Sequence, residues 1–526
     1  MALNKQPKAS DNGISAGLNF DVWSLVFGQL GSLKDLCNVC LTSRAWYTMA
    51  VPHLYKTVTL SIKHIEIRYD YNSLIRQRDE DLLVLARPLS SRLLDIRNER
   101  MRNAVHELDF GFFKGKNLSE MENKLVALVD SLPNLRRVKI RSQLSQEVFR
   151  KLARHSKQIP LHLLSSEDGR RVVKADLQNI ATLTAQCSPR DESRGQNRDI
   201  LGVQKLLFFC PNLTSFSLKV RRNYGGCVIS IPLYKNLYTF QLSGDETFPP
   251  LEKLSLDGYL PDKGEWEYWH NDFQWSKLRS LTLGPQRSSD FLNIAAGYAT
   301  SLQELTIQIY SEGGRNHDCA PLEEFLNTFT SLETLTVKGY YVPLRLVQHH
   351  SGLKHLCLHL FEPVYMDTPR PAFSVEQLQE LDKSCPDLET LEIDLYRDGE
   401  WPEDFIKALA TGFENLRYLT LHLELGLKNM ETRNLKASDP IKPIEPILTE
   451  DSAKEVGQRF FEWRPLSKLN VLLLKTGEPL RRYPQWEPNH SKFERKNTYE
   501  IEVYRSGYSG GMPTVVTRPR CRLFQH

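Results

Sequence analysis

Apolar residues recur along this chain at positions 1, 4 and 6 of a hexamer, and Leu278, Leu281 and Leu283 form one copy. The spacing returns at Leu251-Leu254-Leu256, Leu302-Leu305-Ile307, Leu332-Leu335-Val337, Leu353-Leu356-Leu358, Leu388-Leu391-Ile393 and Leu416-Leu419-Leu421. Weaker copies are Leu135-Val138-Ile140, Leu213-Phe216-Leu218, Leu237-Phe240-Leu242 and Leu469-Leu472-Leu474. Strand side chains alternate with period 2, so positions 4 and 6 share the inner face of a short strand. Positions 3, 5 and 7 then share the opposite face, and position 1 turns inward just before the strand. Helical spacing of apolar residues fills the intervals at 121–131, 290–299, 321–329, 375–383, 403–411 and 453–463. Leading leucines stand mostly about 20–35 residues apart, enough for one strand and one helix. The Leu237-to-Leu251 interval is too short for a helix and predicts a bare loop joining two strands. One such unit cannot bury its apolar face alone, but a stack of them can.

The pattern differs before the first repeat. Val22, Trp23, Val26, Phe27 and Leu30 have helical spacing, and Gly31 interrupts them. Ser32 followed three residues later by Asp35 has the form of a capping box opening a second helix, whose apolar face runs through Leu36, Val39, Cys40 and Trp46. Tyr55, Val58 and Leu60 predict a first strand. Residues 81–104 read as a helix, and Val105-Leu108-Phe110 as a degenerate first repeat. The expected organisation is a disordered tail over 1–16, a helical unit over 17–60 and a connecting region over 61–134. A solenoid over 135–476 follows, interrupted by loops near 188–199 and 434–448. Residues 477–526 form a cap or tail, with strands at Tyr499-Ile501-Val503 and Val515-Val516 around a turn at 506–511.

Leucines at these positions resemble the leucine-rich repeat. The resemblance implies an α/β solenoid with parallel strands on a concave face and helices outside. The lead-ins Pro133-Asn-Leu135, Cys210-Pro-Asn-Leu213 and Cys385-Pro-Asp-Leu388 resemble repeats often fused behind F-boxes. Position 9, usually Asn or Cys, is often aromatic (Tyr259, Tyr310, Tyr340, Phe361, Tyr396), which predicts an irregular solenoid. The segment Leu18-Asn19-Phe20-Asp21-Val22-Trp23, with Val26-Phe27, Leu30 and Asp35-Leu36, resembles an F-box. Cys40-Leu-Thr-Ser-Arg44-Ala-Trp46 followed by Pro52-His-Leu-Tyr55 is similar to F-box proteins of filamentous fungi. Asn19 departs from the usual proline, although Asn also caps helices.

The F-box resemblance implies docking on a Skp-type adaptor and, through it, a cullin, while the repeats select a protein target for ubiquitination. The adaptor-binding set it implies is Leu18, Asn19, Phe20, Val22, Trp23, Val26, Leu30 and Leu36. So short a helical unit has more apolar side chains than it can bury internally, and a partner would cover the excess. An alternative is an F-box scaffold that binds partners without promoting degradation, which the Asn19 departure favours.

Composition narrows the remaining classes. Across 526 residues, 68 Lys and Arg against 64 Asp and Glu leave a net charge of only +4, and no nucleic-acid motif accompanies it. No stretch approaches the roughly 18 apolar residues of a membrane span. The first ten residues are polar and lack a signal-peptide core. Nine scattered cysteines fit reduced thiols rather than a disulfide framework. An intracellular protein, cytoplasmic or nuclear, is expected. Cys37-Asn-Val-Cys40 is a lone CxxC within a helix and reads as packed thiols. No phosphate loop, nucleophile elbow or zinc-protease motif occurs, so neither catalysis nor a cofactor is expected.

The outward columns map the expected binding face. Its first part is basic, with Arg137, Lys139, Arg141 and later Lys219, backed by Arg150, Lys151, Arg154 and Lys157. The middle is hydroxylic, including Ser255, Thr282, Thr306 and Thr336, and the last part carries His355, His359, Glu392, Asp394, Tyr418, His422 and Glu424. The expected target-contact set is Arg137, Lys139, Arg141, Lys219, Thr336, His359, Asp394, Tyr418 and His422, with an acidic or phosphorylated segment near the three cations of one strand. His359, Asp394 and His422 share position 7 of consecutive repeats and should stand about 5 Å apart. That row suits a metal, a pH-sensitive hydrogen-bonded row or unrelated surface residues, and the sequence leaves these open.

Overall fold

The computed structural model describes residues 20–60 and 88–520, apart from 31, 112, 114–115, 143, 156–157, 164–177, 188–197, 221–238, 241, 243, 245, 260, 285–287, 310–319, 363–369, 427–443, 465–467, 470, 478–496 and 507–513. Two compact units divide it: one takes in residues up to 185 with 201–213, the other 214 onward with 186–200.

The first unit begins with helices α1 (Phe20–Gly28), α2 (Leu33–Thr42) and α3 (Arg44–Leu54). Ser32 caps α2 by accepting the Asp35 N–H at 3.4 Å. The single second helix expected from the sequence is in fact two. Ser43 adopts extended backbone and its hydroxyl accepts the Trp46 N–H at 3.2 Å, so the chain stops and restarts there. Phe27, Leu36, Met49 and Ala50 form the core of this unit, with Trp23, Leu30, Val39, Cys40, Trp46 and Leu54 packed around them. Trp23, Phe27 and Trp46 are in mutual ring contact at 5.3–5.8 Å between centroids.

Strands β1 (Thr57–Leu60), β2 (Glu107–Phe110), β3 (Arg137–Ile140), β4 (Leu161–Leu163) and β5 (Ile180–Cys187) follow, each parallel to the next. Register aligns Val58, Leu108 and Val138, all buried. The hexamer reading did not include β4 and β5, which carry only Leu161-His-Leu163 and a spread of Ile180, Leu183, Ala185 and Cys187 as signal.

The second unit is a sheet of β6 (Ser215–Val220), β7 (Lys253–Asp257), β8 (Ser280–Leu283), β9 (Glu304–Gln308), β10 (Thr334–Lys338), β11 (His355–His359), β12 (Thr390–Leu395), β13 (Tyr418–Leu423) and β14 (Val471–Thr476), parallel throughout. Leu254, Leu281, Leu305, Leu335, Leu356, Leu391, Leu419 and Leu472 run through it in one row, each at most 1% exposed. Helices Ser288–Ala295, Ala320–Leu326, Val375–Ser384, Glu403–Thr411 and Glu450–Trp463 connect strands, and each buries its apolar side chains. Strands β15 (Glu500–Ser506) and β16 (Thr514–Arg520) turn antiparallel and close the far edge. This is the architecture of a leucine-rich-repeat solenoid.

The Leu237 hexamer departs from expectation. Leu237 lies outside the described residues, and β6 pairs directly with β7. Phe240 is buried outside the sheet instead, its ring 4.8 Å from that of Tyr259 and its N–H donated to Glu265 in helix Lys263–Asp272.

A strut repeats at the lead-ins. The residue before position 1 donates its side chain to a backbone carbonyl of the preceding repeat: Asn134 to Asn103, Asn179 to Ala153, Asn212 to Gln178, Ser331 to Leu302 and Asn415 to Pro386, at 2.6–3.2 Å. These bonds satisfy carbonyls that the turn leaves unpaired, and they account for the asparagine in Pro-Asn-Leu.

Candidate functional site

Two surfaces emerge from this fold. The first lies on α1–α3. Val22, Leu25, Val26, Leu33, Leu41 and Tyr47 are 38–84% exposed, with Leu41 the most and Leu25 at 70%. Three short helices meet around one small core, so their outward apolar side chains find no cover within the unit. Among the expected adaptor contacts, Val22 and Val26 are on this surface. Trp23 and Leu30 pack against the core instead, and Leu36 is core itself at 4% exposed. Leu36 is therefore removed from the contact set: its side chain is spent inside the hairpin. Leu18 and Asn19 lie outside the described residues, as does the side chain of Phe20. The reading missed Leu25, Leu33 and Leu41, although each falls opposite the buried stripe at helical spacing. Cys40 packs on the core and burial raises its thiol pKa, whereas Cys37 is exposed.

The second surface is the open face of the strands, opposite the helices. In the first unit its basic strand is not a free cationic patch. Register sets Glu107 beside Arg137 and Asp109 beside Lys139. Glu107 pairs with Arg137 at 3.6 Å and also with Lys139. Arg141 grips Asp109 in a bidentate pair with both bonds at 2.9 Å, and that hydrogen bonding raises its pKa. Burial, then Arg137 and Lys139, depress His162 on β4 to about 4, so it is neutral. In the second unit Lys219 pairs with Asp257 at 2.9 Å. The expected polarisation in charge is thus cancelled strand by strand. Lys151 pairs with Glu147 at 2.8 Å on its own helix, and Lys157 lies outside the described residues.

From β6 to β10 the central column is Ser217, Ser255, Thr282, Thr306 and Thr336, in register and half-buried. Tyr418 on β13 is 48% exposed. The expected row at position 7 does come together, but under cover. His359, Asp394 and His422 are 3–6% exposed. His359 Nδ1 lies 2.7 Å from Asp394, His422 Nε2 lies 2.7 Å from Glu392, and the two imidazoles stack with centroids 3.7 Å apart. Arg370 covers them. Its guanidinium donates to the Leu360 and His422 carbonyls, and its N–H donates to Glu424 at 2.8 Å. These three residues are therefore corrected from open contacts to members of a buried network.

Electrostatics follow from that burial. Desolvation, partly offset by the bond to Glu392, pushes His422 down to about 4. Burial alone would raise Glu392, but the His422 hydrogen bond together with Lys338 and Lys475 holds it below the ordinary carboxylate range. Cys357 sits beside Glu392, a neighbourhood that superficially suits a cysteine nucleophile. Burial and that carboxylate push its thiol well above the ordinary range, so it stays protonated and unreactive. Among the described residues no cluster of His, Cys, Asp and Glu is arranged to hold a metal, and no helix is long and apolar enough to cross a membrane.

A family model described as F-box-like matches residues 21–61, the segment that folds as α1–α3 and β1. No curated protein matches the chain. Among solved structures, the complex of Rad7 and Elc1 from yeast is similar at 13% identity, covering 86% of this chain and 87% of that one, with a TM-score of 0.34. The leucine-rich-repeat-containing protein LegL7 from Legionella pneumophila is similar at 12% identity, covering 84% and 97%, with a TM-score of 0.25.

Proposed function

We propose that this chain is a non-catalytic substrate-recognition subunit of a Skp–cullin–F-box ubiquitin ligase. The F-box-like segment docks on the adaptor, and the repeats hold a protein target whose lysines are thereby brought near the ligase. The observation that carries this reading is the exposed apolar set on α1–α3. A patch of this kind on a soluble unit marks an interaction surface. A stable interface would take in about 800 Å² on each partner. Target contacts are assigned to the open face, where Thr336 and Tyr418 are accessible and Arg137, Lys139, Arg141 and Lys219 present paired charges.

The test is a double substitution, Leu25→Asp with Leu41→Asp, in the full chain. Neither side chain belongs to the core, so folding should survive while capture of purified Skp adaptor falls at least tenfold. Undiminished capture by a folded double variant sinks the assignment.

A further inference from the structure

The open face of the second unit changes character on alternate strands. β6, β8 and β10 each present two hydroxyls, Ser215 with Ser217, Ser280 with Thr282, and Thr334 with Thr336. β7 and β9 place one charge and one hydroxyl in the same two columns, Lys253 with Ser255 and Glu304 with Thr306. All these hydroxyl residues are half-buried, and among the described residues none of their hydroxyls is hydrogen-bonded within the chain. The charges cancel pair by pair. Lys253 and Glu304 meet at 4.0 Å across β8, Lys219 and Asp257 meet at 2.9 Å, and Lys338 reaches Glu392 at 3.4 Å. This stretch therefore offers unspent donors at a fixed interval and no net charge.

A segment that fits must match both properties. Neighbouring strands stand about 4.8 Å apart, so the hydroxyl pairs recur at about 9.6 Å. A polyproline II segment turns once in three residues of ~3.1 Å each and leaves its carbonyls without internal partners. Its turn of about 9.3 Å drifts by only about 0.6 Å from the hydroxyl pairs over the whole of β6–β10. An α-helix uses its carbonyls internally. An extended strand repeats near 6.7 Å, roughly 3 Å out of step with the hydroxyl pairs at its first repeat. Proline also lacks an N–H. Every main-chain polar group of a proline-rich segment is then an acceptor, which a Ser or Thr hydroxyl can satisfy as donor.

We propose that β6–β10 form a docking trough for an uncharged, proline-rich target segment in the polyproline II conformation. The segment lies across the strands, and every third carbonyl accepts a hydrogen bond from the hydroxyls of β6, β8 and β10. About seven residues span the trough. Ser255 and Thr306 fall between turns, and the ion pair of Lys253 with Glu304 walls one side. The segment is stiff before it binds, so little ordering entropy opposes docking. This inference rests on the reading of the repeats as target-binding and names the class of segment they take.

The probe is octaproline, acetylated, amidated and carrying a fluorophore, titrated with the full chain and read by anisotropy. Binding should be saturable and nearly insensitive to salt, because no unpaired charge takes part. The Thr282→Val, Thr336→Val variant removes two donors while keeping side-chain shape, and should bind about tenfold more weakly. A glycine–serine octamer shares the carbonyls but not the conformation, and should bind more weakly than octaproline. Absence of saturable octaproline binding overturns the trough. So does undiminished binding by the folded double variant, or a steep loss with salt. Capture of purified Skp adaptor, measured in parallel on the same protein, tests the ligase assignment separately, since neither threonine lies in α1–α3.

Discussion

Leu335→Ala is the sharpest test of the repeat stack. Leu335 is fully buried on β10, in register with Leu305 on one side and Leu356 on the other. Removing three carbons forfeits about 2.4 kcal/mol of transfer free energy at ~0.8 kcal/mol each. The unfilled space adds a further penalty, for a total of roughly 2–5 kcal/mol. Each repeat packs only on its neighbours, so the loss should concentrate in β9–β11 and leave α1–α3 unaffected. Thr336 is the internal control: it is the next residue, faces the open side and is half-buried. Thr336→Ala should cost under about 1 kcal/mol. Urea unfolding of both variants gives the energies, and hydrogen exchange gives their location. Equal costs at the two positions, or undiminished protection of β9–β11 in Leu335→Ala, would refute the assignment of alternating faces.

Two further outcomes are expected in the second unit. Burial pushes Glu265 up to about 8, so its contribution to stability is lost as pH rises from its unfolded value near 4.5 toward 8; Glu265→Gln should remove that decline and exceed the unsubstituted protein by up to roughly 4 kcal/mol at pH 8, read from denaturation midpoints across pH. Gly339 has φ +84° and a Cβ there would stand 1.8 Å from the Ile309 carbonyl oxygen, so Gly339→Ala should lower the thermal midpoint more than Thr336→Ala does, whereas an unchanged midpoint would refute the close approach of this turn to Ile309.

Much of the fold was legible because one chemical rule repeats. Leu281, Leu305, Leu335 and Leu391 each report the same inward position, and their agreement fixes strand direction and register together. The rule fails where a strand is short or the apolar residue is not leucine. β4 spans only Leu161–Leu163, and β5 puts Ala185 and Cys187 inward, so neither prints the hexamer. Phe240 fails in the opposite sense: it has the spacing of a repeat, but is drawn to Tyr259 and Glu265 rather than into the sheet. At the N-terminus, Ser43 is a capping residue within an apolar run, which is why one expected helix is two.

The site was less legible because charge on a parallel sheet is decided by the neighbouring strand. Arg137, Lys139 and Arg141 alternate on one strand and look like a patch when that strand is read alone. The next strand over brings Glu107 and Asp109 into register and largely cancels it. The same logic governs Lys219 with Asp257, and Lys338 with Glu392 two strands away. Whatever such pairs contribute to stability, they set what the surface attracts. A phosphorylated segment would have to compete with Glu107 and Asp109 for cations already engaged. The hydroxyl column from Ser217 to Thr336 carries no such competition. An uncharged, hydrogen-bonding target segment is therefore the better match to the accessible face of the second unit, and its capture should persist in salt that screens exposed charges. Measuring target capture at low and high salt decides the matter: a steep loss would return the contact to the paired cations, and a flat response would place it on the hydroxyl column.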